Sequence, residues 1–175
     1  MLTHLHFKTI DSTQSYIYKE LHRKDYSYLA ITAENQSQGY GQIKRFWESK
    51  KGGIYLSLAS HITNKKEKEN LSLIIAEYIA RYLNQKFKIK TTIKFPNDIY
   101  LDGKKLAGLL SEIKKIRNNW YLIIGIGLNL NQKDFSEDLR NKAISLYQIQ
   151  NKTFNIDKVQ KELMYELKNF CENKL

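Results

Sequence analysis

The 175-residue chain contains one cysteine, Cys171, and one proline, Pro96. A lone cysteine excludes an intramolecular disulfide and a cysteine-rich zinc site, and it suits a reducing, cytoplasmic setting. Long apolar runs are also missing. The longest, Leu71 to Ala80 and Trp120 to Leu130, fall well short of the roughly 20 residues a membrane helix needs, and Met1 to Ile10 is not a secretory leader. A soluble protein with no membrane partner is expected. Acidic residues are scarce beside basic ones, 18 against 29, giving a formal charge of +11. Such an excess favours encounter with anions, whether nucleotides, acidic proteins or nucleic acid, although lysines spread along a chain also simply solvate its exposed faces. No internal repeat, low-complexity tract or Pro/Ser-rich linker divides the chain, so Met1 to about Leu130 reads as one unit.

What is present suffices for a packed core. Hydrophobic residues make up 42% and aromatics 12%, which excludes disorder, and a chain of this length buries roughly 70% of its unfolded surface. The eight glycines all lie between positions 39 and 127, with Pro96 among them. Because glycine permits positive φ and close backbone approach, the functional site is expected in this central region.

The flanks read as helices. Asp11 or Ser12 caps a first helix from Thr13 to about Arg23. Leu71, Ile74, Ile75, Tyr78, Ile79, Tyr82 and Leu83 follow the i, i+3, i+4 pattern of a second. Ile156, Val159, Leu163, Leu167 and Phe170 repeat it after an Asn155 or Asp157 cap, leaving Cys171 at a frayed end. Strands are predicted at Tyr28 to Ala33, Ile54 to Ser60, Thr91 to Lys94, Leu106 to Ile113 and Tyr121 to Leu130. Asn131 to Thr153 reads as a polar connection. The fold class is α+β, a sheet with helices packed on one face.

Three segments carry chemistry. Glu34 to Ser49, E-N-Q-S-Q-G-Y-G-Q-I-K-R-F-W-E-S, can fold over an anion: amides freed by Gly39 and Gly41 face phosphate oxygens, Lys44 and Arg45 neutralise charge, and Trp47 covers a base. The same residues also suit a plain hairpin loop. Lys94 to Glu112, K-F-P-N-D-I-Y-L-D-G-K-K-L-A-G-L-L-S-E, places a Pro96-Asn97-Asp98 turn before an Asp102-Gly103 hairpin that returns Lys105 toward that turn. Alternation points Lys104 to the opposite face. A lysine meeting a carboxylate beside a Gly-rich loop suits phosphoryl or adenylyl chemistry, with Asp98 a candidate Mg²⁺ ligand. Alternatively, the turn is only a turn and the lysines protect a strand edge. Gly125 to Asn131, G-I-G-L-N-L-N, removes side chains where a ligand or a strand comes close.

With Asp11-Ser12-Thr13-Gln14, these segments resemble the biotin protein ligase family (biotin–[acetyl-CoA-carboxylase] ligase) from about Phe7 to Asn131: a D-S-T-N-like segment, the Gly-rich loop with its Trp, K-W-P-N-D as Lys94 to Asp98, G-K-K-x-x-G-x-L-x-E and G-I-G-x-N-x-N. The resemblance implies a class II synthetase-like catalytic domain with a mixed sheet. It implies that biotin carboxylate attacks the α-phosphorus of MgATP to give biotinyl-5′-AMP, and that a lysine of a biotin carboxyl carrier domain then takes the biotinyl group. ATP and Mg²⁺ are co-substrate and ion, with no tightly bound cofactor. Carried over by position, Lys105 and Asp98 are catalytic. Ser12, Thr13, Gln36, Gly39, Lys105, Gly108 and Gly127 hold biotin, while Gly41, Arg45, Trp47, Lys94, Asn97 and Asn129 hold the nucleotide. A homodimer is compatible with the family, and no specific DNA binding is expected.

The departures are specific. Where the family has G-R-G-R-x-G-R, this chain has Gly39-Tyr40-Gly41-Gln42-Ile43-Lys44-Arg45; Phe95 replaces a Trp and Gln14 an Asn. Residues 1–175 are expected to form a single catalytic domain without the family's N-terminal helix-turn-helix, and with the C-terminal SH3-like domain absent or truncated. A lipoate ligase or octanoyl transferase shares the catalytic fold, but the polar Ser12, Thr13 and Gln36 suit a ureido ring better than an apolar acyl end. Cys171 lies in the wrong segment for a thioester route. A basic nucleic-acid-binding module would explain the charge and tyrosines but not the Lys94 to Glu112 block.

Overall fold

A computed structural model describes residues 1–63 and 70–174. Seven strands form one mixed sheet: β1 (Leu2–Ile10), β2 (Tyr28–Gln36), β3 (Ile54–Ile62), β4 (Thr92–Lys94), β5 (Asp98–Leu101), β6 (Lys104–Ile116) and β7 (Asn119–Leu128). Their spatial order is β1-β2-β3-β7-β6-β5-β4. Only the β1–β2 pair is parallel, joined by the crossover helix α1 (Thr13–Arg23); all other pairs are antiparallel.

The helices follow from their stripes and caps. Ser12, rather than Asp11, caps α1, its Oγ accepting from Ser15 N at 3.4 Å. Helix α2 (Leu71–Phe87) and helix α4 (Ile156–Lys174) lie side by side, and Asn155 Oδ1 caps α4 by accepting from Lys158 N at 2.9 Å. Tyr78 and Tyr82 of α2 donate to Glu166 and Glu162 of α4, each at 2.8 Å.

Period-two alternation sorts the sheet into two faces. Leu56 and Leu58 of β3, with Leu122, Ile124 and Ile126 of β7, pack against α2 and α4 in the main core. Ala59, Tyr121 and Ile123, from the same two strands, pack with Ile17 and Leu21 of α1 in a smaller second core. The expected helical face is therefore that of α2 and α4, and α1 adds a patch on the reverse.

Three local readings are corrected. First, β1 was not expected: its stripe of Leu5 and Phe7 is short, and its other side carries His4, His6 and Lys8. His4 Nε2 and His6 Nδ1 lie 2.8 and 2.9 Å from Thr32 Oγ1 on β2. Second, the connection after β7 contains α3 (Leu146–Gln150), started by a capping box in which Ser145 Oγ accepts from Gln148 N and Gln148 Oε1 accepts from Ser145 N. Third, Cys171 is not frayed. It is 5% exposed inside α4, and burial pushes its thiol up to about 12.

Candidate active site

At one end of the sheet, the N-terminus of α1, the loop after β2, the β4–β5 turn and the glycines of β6 and β7 enclose a cavity of about 430 Å³. Every residue given a catalytic or binding role by the family resemblance lines it except Gly39, and Lys44 of the Gly-rich loop does not line it either. A Cβ on Gly39 would meet Ser49 Oγ at 2.5 Å, Gln36 Nε2 at 2.8 Å and Trp47 O at 2.9 Å. The space a Gly39 side chain would need is thus taken by atoms of its own loop, and Gly39 stands outside the cavity lining.

The deep end is polar and internally paired. Gln36 Oε1 accepts from Thr13 N at 2.7 Å and from Thr13 Oγ1 at 3.1 Å, while Gln36 Nε2 donates to Ser49 Oγ at 2.8 Å. Ser57 Oγ lies 2.9 Å from both Thr13 Oγ1 and Gln14 Oε1. Gln14 Nε2 continues to Glu112 Oε2 at 3.1 Å, which also accepts from Tyr18 OH at 2.8 Å. Burial, then this bond, raises the Tyr18 phenol well above its ordinary value, keeping it a donor. Gly125 belongs to the same network, since a Cβ there would stand 2.7 Å from Gln14 Oε1. Ser57 and Glu112 were not assigned roles from the sequence. A small hydroxyl between Leu56 and Leu58 was the available signal for Ser57.

In the middle of the cavity, Lys105 Nζ pairs with Asp98 Oδ1 at 2.8 Å and lies 5.0 Å from the centroid of the Trp47 ring. Lys104 points elsewhere, donating to Arg140 O at 3.4 Å. Trp47 does not sit over an exposed mouth. A Cβ on Gly127 would come within 2.4 Å of its Cε2, and one on Gly108 within 2.9 Å of its Cζ3, so the indole occupies the space those glycines open. Its Nε1 is buried without a partner among the described residues. The exposed aromatic residues bordering the cavity are its neighbour Phe46, 71% exposed, and Phe95, 70% exposed. Gly41 borders the cavity, but no atom lies within 4 Å of a Cβ placed there.

Asn97 and Asn129 spend polar atoms on the frame. Asn97 Nδ2 donates to Leu109 O, and Leu109 N returns a bond to Asn97 O at 3.0 Å, tying the turn to β6. Asn129 Nδ2 donates to Lys105 O at 3.2 Å, and its backbone N–H donates to Leu106 O at 2.9 Å. Among the described residues no three His, Cys, Asp or Glu side chains converge as a metal site, and Asp98 stands as a single carboxylate.

The remaining wall comes from the supposed connection after β7. Phe135, Leu139 and Ala143 give it an apolar lining and Lys142 a cation, none of which was singled out from the sequence. The wall is hung on Lys105, whose N–H donates to Lys142 O at 2.8 Å and whose carbonyl accepts from Ile144 N at 3.0 Å.

Comparison with known proteins places this geometry. Residues 6–129 match the model of the Biotin/lipoate A/B protein ligase family. The chain is 36% identical over 126 residues to the bifunctional ligase/repressor BirA of Bacillus subtilis, covering 67% of this chain and 38% of that protein. Against BirA of Salmonella typhimurium it is 32% identical over 169 residues, covering 93% and 52%. The chain thus spans about half or less of the length of these relatives. Among solved structures, the biotin protein ligase from Aquifex aeolicus in complex with biotin and ATP superposes with a TM-score of 0.79 at 30% identity, covering 98% of this chain and 72% of that one. The Leishmania major biotin protein ligase in complex with biotinyl-5-AMP shares the fold at a TM-score of 0.79 and 21% identity, covering 97% and 75%. The chain therefore belongs to the biotin/lipoate A/B protein ligase family and has the catalytic-domain fold of a biotin protein ligase.

Proposed function

We propose that this chain activates biotin with MgATP to biotinyl-5′-AMP and passes the biotinyl group to a lysine of a biotin carboxyl carrier domain. The observation that carries this reading is the Lys105–Asp98 pair, set between a polar deep end and a cation-rich mouth. A cavity of about 430 Å³ falls in the usual range for small-molecule sites.

Ser12, Thr13 and Gln36 face a ureido ring, which needs both donors and acceptors. The acyl chain runs beside Trp47, and its carboxylate reaches Lys105. There a carboxylate oxygen attacks the α-phosphorus and pyrophosphate leaves. As negative charge shifts onto the phosphoryl oxygens, the Lys105 ammonium stabilises it. In the second step the acceptor amine attacks the acyl carbon and AMP departs, so no enzyme nucleophile is needed. Arg45 and Lys94 face the nucleotide, while Asn97 and Asn129 act through the backbone they pin. One carboxylate suits a Mg²⁺ ion that arrives on the phosphates, and Asp98 is the residue placed to meet it.

The test is ATP–pyrophosphate exchange with biotin, with lipoate and with neither. Exchange that requires biotin supports the proposal. Exchange with lipoate alone assigns the chain to lipoate activation, and exchange with neither acid refutes adenylation.

A further inference from the structure

The cavity holds more cations than its own anions can neutralise. Arg45, Lys94, Lys105 and Lys142 line it against two carboxylates, Asp98 and Glu48. Asp98 is matched by Lys105 at 2.8 Å. Glu48 is matched by Lys50 at 3.1 Å and accepts from Ser136 N at 3.4 Å. Burial alone would raise the Glu48 carboxyl, but the Lys50 and Ser136 bonds more than offset it and keep it ionised. Each carboxylate already has a lysine partner, so neither offsets Arg45, Lys94 or Lys142.

The uncommitted cations differ in how they are held. Arg45 is on the Gly-rich loop, whose Ile43 and Lys44 both take left-handed backbone angles. Lys94 ends the three-residue strand β4, its Nζ 5.4 Å from the Tyr100 ring centroid. Lys142 has no ion-pair or hydrogen-bond partner for its ammonium among the described residues, yet its backbone is firmly fixed. Its carbonyl accepts from Lys105 N at 2.8 Å, its N–H donates to Leu139 O at 2.9 Å, and the next residue, Ala143, bridges Lys105 in parallel register. The backbone that carries this free ammonium is thus tied to that of Lys105, on a segment held by its own hydrogen bonds.

We propose that Lys142 binds the phosphate chain of the nucleotide. The inference rests on the adenylation reading and names a residue for it. A Mg²⁺-bound triphosphate retains about two negative charges at neutral pH, so a cavity with uncommitted cations suits it where a neutral ligand would leave them unmatched. Lys142 contributes a flexible point charge, anchored at its backbone and free at its tip.

The experiment measures pyrophosphate exchange for Lys142→Met, which keeps the apolar stem, and Lys142→Arg, which keeps the charge. Biotin affinity and inhibition by adenosine, which carries the base without phosphates, are measured alongside. A charge-assisted phosphate contact predicts that Lys142→Met raises KM for ATP about 10- to 100-fold. Biotin affinity and adenosine inhibition should stay within about twofold, and Lys142→Arg should recover most of the ATP affinity. An unchanged KM for ATP overturns the inference, as does a parallel loss of adenosine binding, which would make Lys142 a support for the wall. Absence of biotin-dependent exchange in the wild type is the separate result that overturns the adenylation reading and this assignment with it.

Discussion

Gly127→Ala adds one methyl group where the indole of Trp47 already lies. The new Cβ would stand 2.4 Å from Cε2 and 2.6 Å from Cζ2 and Nε1, against a comfortable carbon–carbon separation of about 3.5–4.0 Å. Something must retreat by roughly 1 Å. Strand β7 cannot, because Gly127 is paired with Tyr55 on one side and Gly108 on the other. Trp47 sits on the Gly-rich loop and is the side that yields. Overpacking of this kind costs about 1–3 kcal/mol, and at roughly 2–4 °C per kcal/mol for a chain of this size the melting temperature should fall by several degrees. Gly41→Ala is the control: nothing lies within 4 Å of its Cβ and its φ of −106° suits any residue, so it should be neutral or gain about 0.4–1 kcal/mol. Calorimetric melting reads the stability, and acrylamide quenching in a Trp120→Phe background reads the position of Trp47. Gly127→Ala should expose the indole to quencher and weaken biotin binding about tenfold, a loss of roughly 1.4 kcal/mol. If the two variants behave alike, or if Gly127→Ala leaves Trp47 protected, the indole is not seated on these glycines in solution.

The remaining predictions concern charge. Lys105→Ala should lower the adenylation rate on the order of 10²- to 10³-fold, whereas Lys104→Ala, whose ammonium donates to Arg140 O, should be mild; equal losses in exchange assays would reject the assignment. Burial, then the neighbouring His6, holds His4 below its ordinary pKa, so its contribution to stability is fully present above about pH 6.5 and is lost as pH falls below it. Melting between pH 7.5 and 5 should show this decline, and an equal slope in His4→Gln would exclude His4 as its source. In the Gly-rich loop Lys44 Nζ lies 3.7 Å from the Tyr40 ring centroid, and neither Tyr40 nor Gln42 brings the positive charge of an arginine. Leaked biotinyl-5′-AMP should therefore biotinylate a bystander protein less in a Tyr40→Arg, Gln42→Arg double variant, and labelling confined to the carrier domain in the wild type would refute the idea.

Long amphipathic helices and apolar strands were legible because their signal is repeated many times along the chain. Helix α2 and the strand pair β3 and β7 are examples: each residue that packs is followed two, three or four positions later by another that does. Signals spread over distant segments were not legible. Nothing near Trp47 in sequence says that its ring will lie on Gly108 and Gly127, some 60 and 80 residues away, and those glycines read equally well as openings for a ligand. Lys142 gives no signal of its own because Asn131 to Thr153 has no period at all. The segment becomes a wall of the site only through its backbone bonds to Lys105. Strand β1 was missed for a third reason, since an edge strand whose outer row is His, His and Lys shows only half of the alternation.

Lys105 illustrates a subtler limit. Alternation separates Lys104 from Lys105 correctly, but counted along an unbroken strand it puts Lys104, two steps of two from Gly108, on the glycine's side, and Lys105 on the other. The structure reverses this. Opposite β5, Tyr100 pairs with Lys105 and Ile99 with Ala107, leaving Leu106 as an extra residue in β6. Leu106 and Ala107, consecutive in sequence, both enter the main core, and beyond them the parity is inverted. Lys105 comes to share a side with Gly108, so close that a Cβ there would be 3.0 Å from Lys105 Cε, and Asp98, paired with Gly108 across the sheet, completes the ion pair. Bulges re-aim side chains in this way. Here Asn129 fastens the bulge, its backbone N–H on Leu106 O and its side-chain amide on Lys105 O. The bulge decides which of two adjacent lysines enters the cavity, and the asparagine that follows β7 holds it in place, a relation that neither strand reveals alone because it exists only in their pairing.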